Sequence, residues 1–265
     1  MKSKIIILTA LAALTSVTSS CVTRGRTVYD NSKLTTYDVT LSNDFDAISV
    51  ANNIEVDYTV SDKVKLTIST PSDNKGNIVA EVQGNTLVLE CETKKRTFNS
   101  PKIKVTISAP AIQTIIARNN AEISVSGTYN ANALSITATN NAEIEFGGKV
   151  TTSKCEFIVT NNAEISFVNL KSDNVTTTVT NNAEFTVKDL DANSVVATAT
   201  NNAEIDLAGT ADVATLTATN NAELNAGKLK VSHATCTAHN LAQIFTNADK
   251  ITSETRNQGS VKNKR

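Results

Sequence analysis

Large side chains are scarce in this chain of 265 residues, which has no tryptophan, one methionine and only 4% aromatic residues. A globular core of large side chains is therefore disfavoured, and threonine, valine, isoleucine and alanine have to supply the packing. These residues favour strands that pack in thin layers. Proline and glycine are also few, at three and nine residues. No apolar run of about 18 residues follows the N-terminal segment, so we expect no spanning helix in the mature protein.

The N-terminal segment has the pattern of an export signal. Two lysines precede an apolar run over residues 5–14, and small and hydroxylated residues then lead to Cys21. This order is typical of a secretory signal. Its ending, TSSC, resembles a bacterial lipoprotein signal of the Bacteroidetes type, which implies that residues 1–20 are removed and that Cys21 carries the lipid anchor. An ordinary secretory signal cut nearby would leave Cys21 without a role.

Net charge argues against a nucleic-acid partner. Removal of residues 1–20 deletes two of the 25 basic residues, and the remaining 23 stand against 26 acidic residues, a net charge of −3. Proteins that bind nucleic acid neutralise phosphates with clustered lysine and arginine, so we expect no nucleic-acid binding here.

Internal repeats dominate the rest of the chain. The tetrad NNAE occurs six times at spacings of 21, 21, 20, 20 and 19 residues, and weaker copies read NLAQI and NQGSV further on and ANNIEV upstream. A period near 20 residues without a helical pattern indicates a solenoid. The six tetrads begin at Asn119, Asn140, Asn161, Asn181, Asn201 and Asn220.

Apolar residues alternate with polar ones on both sides of each asparagine pair. In SITATNNAEIEF, the residues Ile136 and Ala138 share one side before the pair, and Ala142, Ile144 and Phe146 share it afterwards. A period of two indicates strand, corner and strand. No lap can bury its apolar side alone, so the laps must stack. The sequence therefore predicts an all-β fold, a parallel β-helix with laps of about 20 residues.

The asparagine pair is suited to the corner of each lap. A tight bend between strands often requires a positive φ, which asparagine accepts more readily than most residues. Stacked asparagine amides can also hydrogen-bond from lap to lap. We expect the alanine that follows to face a crowded inner corner.

The cysteines beyond Cys21 are predicted to be buried thiols. Cys155 and Cys236 fall on inward positions about four laps apart, which at ~4.8 Å per lap is too far for a disulfide. Cys91 is expected to point inward too. In HATCTAH, His233 and His239 have the opposite parity to Cys236, so these three residues should not converge on one metal ion.

The chain divides by its patterning. Residues 1–20 are the predicted signal and residues 21–36 a linker after the lipidated cysteine. Residues 37–110 keep strand alternation without the strict period and are predicted to form irregular laps or a cap. Residues 111–262 form the regular β-helix, and residues 263–265 a basic tail.

Residues 37–262 resemble the head GIN domain family of auto-transporter adhesins. The resemblance is carried by FDAISVANNIEVDYTV, by IKVTISAPAIQTIIARNNAEISVSG and by the chain of laps. In that family the corner often reads as a Ser/Gly-rich triplet, whereas here NNA takes those positions and only the last lap keeps QGS. The resemblance implies a right-handed β-helix in an exported Bacteroidetes-type protein, and it implies no catalytic residue.

One glutamate per lap is predicted to form an outward column. Like charges about 4.8 Å apart repel by roughly 0.9 kcal/mol per pair in bulk water, and no basic residue stands at a matching offset. The column is either a solvated acidic face or a face for a divalent cation such as Ca²⁺, which needs 6–8 oxygens, or for a cationic polymer. The candidate residues are Glu122, Glu143, Glu145, Glu164, Glu184, Glu204, Asp206 and Glu223.

The expected function is non-enzymatic. Catalytic sites need unlike groups that converge, whereas the acidic residues here repeat uniformly. The chain has only two histidines, which disfavours a Ser-His-Asp arrangement. We expect an exported lipoprotein, held at the outer membrane on the periplasmic side or the cell surface, whose rigid β-helix serves adhesion to a glycan or envelope protein or a structural role. The alternative is a carbohydrate-active β-helix enzyme, such as a polysaccharide lyase or hydrolase.

Overall fold

The computed structural model describes residues 28–42, 44–92 and 99–265. In these ranges the chain is nearly all β, with eighteen strands and one short 3-10 helix, and it forms a parallel β-solenoid preceded by a less regular N-terminal region. The predicted fold class is therefore confirmed. The predicted signal and Cys21 lie outside the described residues.

The N-terminal region closes one end of the solenoid with antiparallel strands. β1 pairs with β4, β4 pairs with β7, and β5 pairs with β6, all antiparallel, whereas β2 and β3 join the parallel stack. A closing layer of this kind covers the hydrogen-bonding edge of the first laps. The elements are β1 (Leu34–Val39), β2 (Ala47–Ala51), β3 (Ile54–Val60), β4 (Lys65–Pro71), a 3-10 helix (Ser72–Asn77), β5 (Ile78–Gln83), β6 (Thr86–Cys91) and β7 (Ile103–Ala109).

The regular laps are continuous strands that run from one asparagine corner to the next. Neighbouring laps are parallel, and equivalent residues lie side by side, as Glu143, Glu164 and Glu184 do. Stacking of this kind buries the inward residues of every lap against those of its neighbours. The strands are β8 (Thr114–Arg118), β9 (Glu122–Ser126), β10 (Tyr129–Asn130), β11 (Ala133–Thr139), β12 (Glu143–Thr160), β13 (Glu164–Thr180), β14 (Glu184–Thr200), β15 (Glu204–Thr219), β16 (Glu223–His239), β17 (Gln243–Arg256) and β18 (Ser260–Asn263).

The core consists of columns of inward side chains that stack from lap to lap. In each regular lap an alanine stands directly after the two corner residues and is buried, for example Ala163 and Ala183. Phenylalanines fill the middle laps, where Phe146 stacks on Phe167 with ring centroids 4.6 Å apart. Each buried large side chain contributes roughly 1.5–3 kcal/mol. A one-residue shift of any lap would turn its apolar side outward, so these columns hold the laps in register.

The three cysteines in the described residues are buried, as predicted. Cys155 and Cys236 are free thiols, and burial raises the pKa of each to about 11. A raised pKa keeps the thiol protonated and unreactive, so these residues act as small apolar side chains.

The last lap ends the stack with polar residues at inward positions. Ser253 and Thr255 continue the columns of Cys236 and Ala238 but are exposed, because only the short β18 follows. The Asn263 side chain donates to the Ala248 carbonyl and accepts from the Ala248 N–H, at 2.9 and 3.0 Å. Polar groups at this end reduce the tendency of the open edge to aggregate.

Candidate functional site

The asparagine corner has the predicted backbone. Both corner residues have positive φ in all nine copies, with values from 48° to 65°. At the second position the last two copies carry Leu241 and Gln258 instead of asparagine and keep the same conformation. Asparagine is therefore favoured by the corner but is not required at its second position.

The first asparagine of each pair belongs to one unbroken ladder of amides. Each side-chain N–H donates to the amide oxygen of the preceding lap, through eight hydrogen bonds of 2.9–3.1 Å from Asn257 back to Asn52. The donor end of the ladder finishes on the Glu90 carboxylate, 3.0 Å from the Asn52 amide nitrogen. The second column is weaker, with five such bonds of 3.0–3.4 Å. The polar side chains of the corner therefore bond to one another and stabilise the fold.

The predicted glutamates form one column across the laps. Glu122, Glu143, Glu164, Glu184, Glu204 and Glu223 are paired lap to lap. Glu145 and Asp206 lie in the neighbouring column, where Ser166 and Thr186 separate them. The structure therefore brings six of the eight predicted residues into one line and sets the other two beside it, three laps apart.

The column continues into the N-terminal region, which the sequence analysis missed. Glu55 pairs with Glu122 in register, and Lys104 lies next to Glu55 in the adjoining strand. The Lys104 ammonium lies 2.8 Å from both the Glu55 and the Asp57 carboxylates. The column therefore has a cation at one end. The signal for Glu55 was its place in ANNIEV, the upstream copy of the corner.

Charge repulsion and partial burial raise the pKa of alternate carboxyls in this column. The pKa values of Glu122, Glu164 and Glu204 are raised, first by desolvation and then by neighbouring carboxylates. For Glu204 the carboxylate that raises the pKa most is that of Asp206. These three carboxyl groups therefore hold protons more tightly than a free glutamate does.

The described residues contain no group of three or more His, Cys, Asp or Glu placed to hold one metal ion. In HATCTAH, Cys236 is buried whereas His233 is exposed and His239 is half-buried, as their parity predicted. Binding of Ca²⁺ along the glutamate column stays a prediction. A rise in melting temperature with millimolar calcium would support it, and an unchanged melting temperature would remove it.

A different bend of each lap forms a polar groove that the sequence analysis did not predict. In β13, Ser172 is buried between the exposed residues Lys171 and Asp173, and Asn174 is exposed as well. Two outward residues in succession break the alternation of a flat strand, and this is the signal that could have revealed the bend. The same pattern recurs in β12, β14, β15 and β16.

Two rows of polar side chains line this groove. It consists of two adjoining cavities of ≈ 530 and ≈ 480 Å³, both of which are lined by Asp191 and Asn193. One row contains Asn130, Thr151, Lys171, Asp191, Thr210, Lys230 and Asn247. The other row, two residues further along each lap, contains Asn132, Ser153, Asp173, Asn193, Asp212, Ser232 and Asp249.

Side chains in the groove hold one another across the laps. The Lys171 ammonium lies 2.6 Å from the Asp191 carboxylate, and the Asn193 amide donates to Asp173 at 3.2 Å. Near the C-terminus, Arg265 lies 2.9 Å from Asp249. The hydrogen bond from Lys171 to Asp191 raises the pKa of the lysine. An ammonium stabilised in this way is a poor general base.

Two overlapping stretches of the chain, residues 44–167 and 148–265, match the profile of the family described as "putative auto-transporter adhesin, head GIN domain". The chain belongs to the head GIN domain family. The family resemblance found in the sequence is thereby confirmed. Among curated proteins, none matches this head GIN chain.

Solved structures from Parabacteroides share the fold of this head GIN chain. A "putative adhesin" from Parabacteroides merdae superposes with a TM-score of 0.83 at 17% identity, over 90% of this chain and 98% of the other. A "putative adhesin" from Parabacteroides distasonis gives 0.83 at 16% identity, over 90% and 100%. A "putative lipid binding protein" from the same species gives 0.78 at 18% identity, over 90% and 99%. At these identities the likeness is one of fold.

Proposed function

We propose that this protein is a non-enzymatic binding protein of the cell envelope, with an adhesin-like role. The family description and the adhesin-like structural neighbours support a binding role. The single observation that carries the proposal is the rigid stack of laps in register, which aligns polar side chains in rows across the surface of the solenoid. A rigid surface of this kind suits contact with an extended partner.

We propose further that the protein is exported and held at the outer membrane by a lipid on Cys21. The order of charged, apolar and small residues before Cys21 supports this. No helix among the described residues is long and apolar enough to cross a membrane. Incorporation of labelled palmitate by the wild-type protein, and its loss in Cys21→Ser, would support the anchor. A labelled serine variant or an unlabelled wild type would contradict it.

Binding to the envelope is the direct test of the proposed function. Purified protein without residues 1–21 would be incubated with whole cells and with separated envelope fractions, and the bound protein measured. We expect saturable binding to at least one fraction without chemical change in it. Absence of binding to every fraction would overturn the proposal.

The groove also supports one alternative function, that of a carbohydrate-active enzyme. Here unlike ionisable groups do come together, namely Lys171, Asp173 and Asp191. The raised pKa of Lys171 disfavours it as a general base. Release of reducing ends or of unsaturated sugar from a polysaccharide by the purified protein, abolished in Asp191→Asn, would favour the enzyme over the binding protein.

The lipid-binding description of one structural neighbour does not suit the groove of this chain. Among the described residues, the groove is lined mainly by amide, hydroxyl, carboxylate, ammonium and guanidinium groups, beside the smaller side chains of Ala131, Ala192, Ala211 and Val231. An acyl chain would bury these groups without hydrogen-bond partners, which is costly. We therefore propose a polar partner.

A further inference from the structure

We propose that the polar groove binds a neutral polysaccharide chain that lies along the solenoid axis. This inference rests on the proposed binding function and names the surface and the ligand class. It concerns a bend of the lap away from the asparagine corner and the glutamate column.

The dimensions of the groove suit an extended chain. From Asn130 to Asn247 it crosses six lap-to-lap steps, or about 29 Å at ~4.8 Å per step. The two cavities adjoin at Asp191 and Asn193, so a chain that lies along the axis would contact both of them. A pyranose ring in an extended glycan advances by a distance comparable to one lap, so successive sugars can meet successive laps.

The chemistry of the lining favours hydroxyl groups. Each lap offers two outward polar side chains, and together they supply both donors and acceptors. The charged members nearly cancel, with three cations and four carboxylates: Lys171, Lys230, Arg265, Asp173, Asp191, Asp212 and Asp249. A strong polyanion would meet a carboxylate in four of the seven laps, and a strong polycation would meet a lysine in two of them and the arginine near the C-terminus. A neutral sugar chain meets none and can both donate to the carboxylates and accept from the ammonium groups.

The direction of the groove disfavours an extended peptide. It runs across the strands, whereas a peptide that adds to a sheet lies parallel to them and uses an open edge. Along the groove the strand backbones are already paired on both sides, for example β13 with β12 and β14. A peptide here would have to leave most of its backbone groups to water.

The groove is also partly organised before any ligand arrives. Lys171 and Asp191 hold each other across one step, and Asn193 and Asp173 hold each other across the same step. Side chains with fewer free rotamers lose less entropy when a ligand binds. Neighbouring laps present different side chains, so each sugar position meets its own set of groups.

The test uses purified protein without residues 1–21 in native gels that contain mannan, dextran, xylan or galactan. The test variant is Asp191→Ala/Asn193→Ala, which removes one carboxylate and one amide where the two cavities meet. The matched control is Asn169→Ala/Asp189→Ala, which also removes one amide and one carboxylate, hydrogen-bonded at 2.7 Å on the outside of the same laps and away from the groove. All four side chains are solvent-accessible, so we expect both variants to fold, and melting curves check this. Asp173→Asn, nearly the same shape as the wild type, serves as a second groove variant.

We expect the wild type to be retarded by at least one of these polysaccharides, the groove variants to bind ~10-fold or more weakly, and the control to bind as the wild type does. If the groove variants bind as strongly as the control, the groove is not the binding surface, although the proposed binding function still holds. If the protein binds envelope protein fractions but none of the four polysaccharides, the assignment of a glycan ligand is wrong and the proposed binding function still holds. Failure to bind polysaccharide and envelope alike would overturn both.

Discussion

The asparagine corner and the groove bend occur in the same laps but use polar side chains in opposite ways. At the asparagine corner every lap repeats one residue, and the amides bond to each other. At the groove bend the residue changes from lap to lap, as in Lys171, Asp191 and Thr210. Repetition satisfies side chains within the protein, whereas variation leaves donors and acceptors for a partner. The contrast separates residues that stabilise the solenoid from residues that are available to bind a partner.

The largest expected effect comes from breaking the amide ladder in its middle. Asn181→Leu removes two side-chain hydrogen bonds of 3.0 Å and places a branched residue at φ 60°. Lost hydrogen bonds and left-handed strain together should lower the free energy of unfolding by about 2–4 kcal/mol, as measured by urea denaturation. The paired variant Asn182→Leu should lose less, because its bonds are 3.1 and 3.4 Å and Leu241 already holds this position in its own lap. Equal losses would mean that the two columns do not differ.

Overpacking behind the two bends should give the next largest difference. Ala183 belongs to an inner column that is alanine in every regular lap, whereas the column of Ala192 also holds Val231. We expect Ala183→Val to cost about 1–3 kcal/mol and Ala192→Val less than about 1 kcal/mol, since the second column has room for valine. Thermal unfolding of both variants measures this. A larger loss at Ala192 would contradict the contrast in packing.

Acidification should stabilise the glutamate column. The pKa of Glu164 is raised in the folded state, so its favourable contribution is present at low pH and is lost as pH rises through that raised pKa. We expect Glu164→Gln to be more stable than the wild type at pH 7 by about 0.5 kcal/mol, with the difference shrinking toward pH 5. Melting curves at several pH values check the sign. A variant that is less stable than the wild type at pH 7 would show that Glu164 has a favourable partner.

The smallest effect on stability is expected in the groove. Asp173 is exposed and accepts one hydrogen bond, from Asn193. Asp173→Ala should therefore change the free energy of unfolding by no more than about 0.5 kcal/mol. Urea denaturation beside Asn181→Leu gives the comparison on one scale. If Asp173→Ala lowers the free energy of unfolding as much as Asn181→Leu does, the groove residues stabilise the fold as the corner residues do.

The repeated corner could be predicted from the sequence in detail because identical letters recur there. Positive φ, the amide ladder, the inner alanine and the inward cysteines all followed from spacing and alternation. The groove could not be found in this way, because its residues differ from lap to lap and only the pair of outward residues, such as Asp173 and Asn174, marks the bend. Lys104 was missed because it pairs with Glu55 from 49 residues away, in a region without a period.

The ladder that joins Asn52 to Asn257 also makes the laps interchangeable. Removal of residues 161–180 would place the lap that begins at Asn140 next to the lap that begins at Asn181. Each column would continue across the junction, because the corners on both sides are the same. The groove would then be shorter by one lap, that of Lys171 and Asp173, and its other laps would keep their residues. Recombination between repeats of the gene can therefore alter the length and the order of the recognition surface while the fold is preserved.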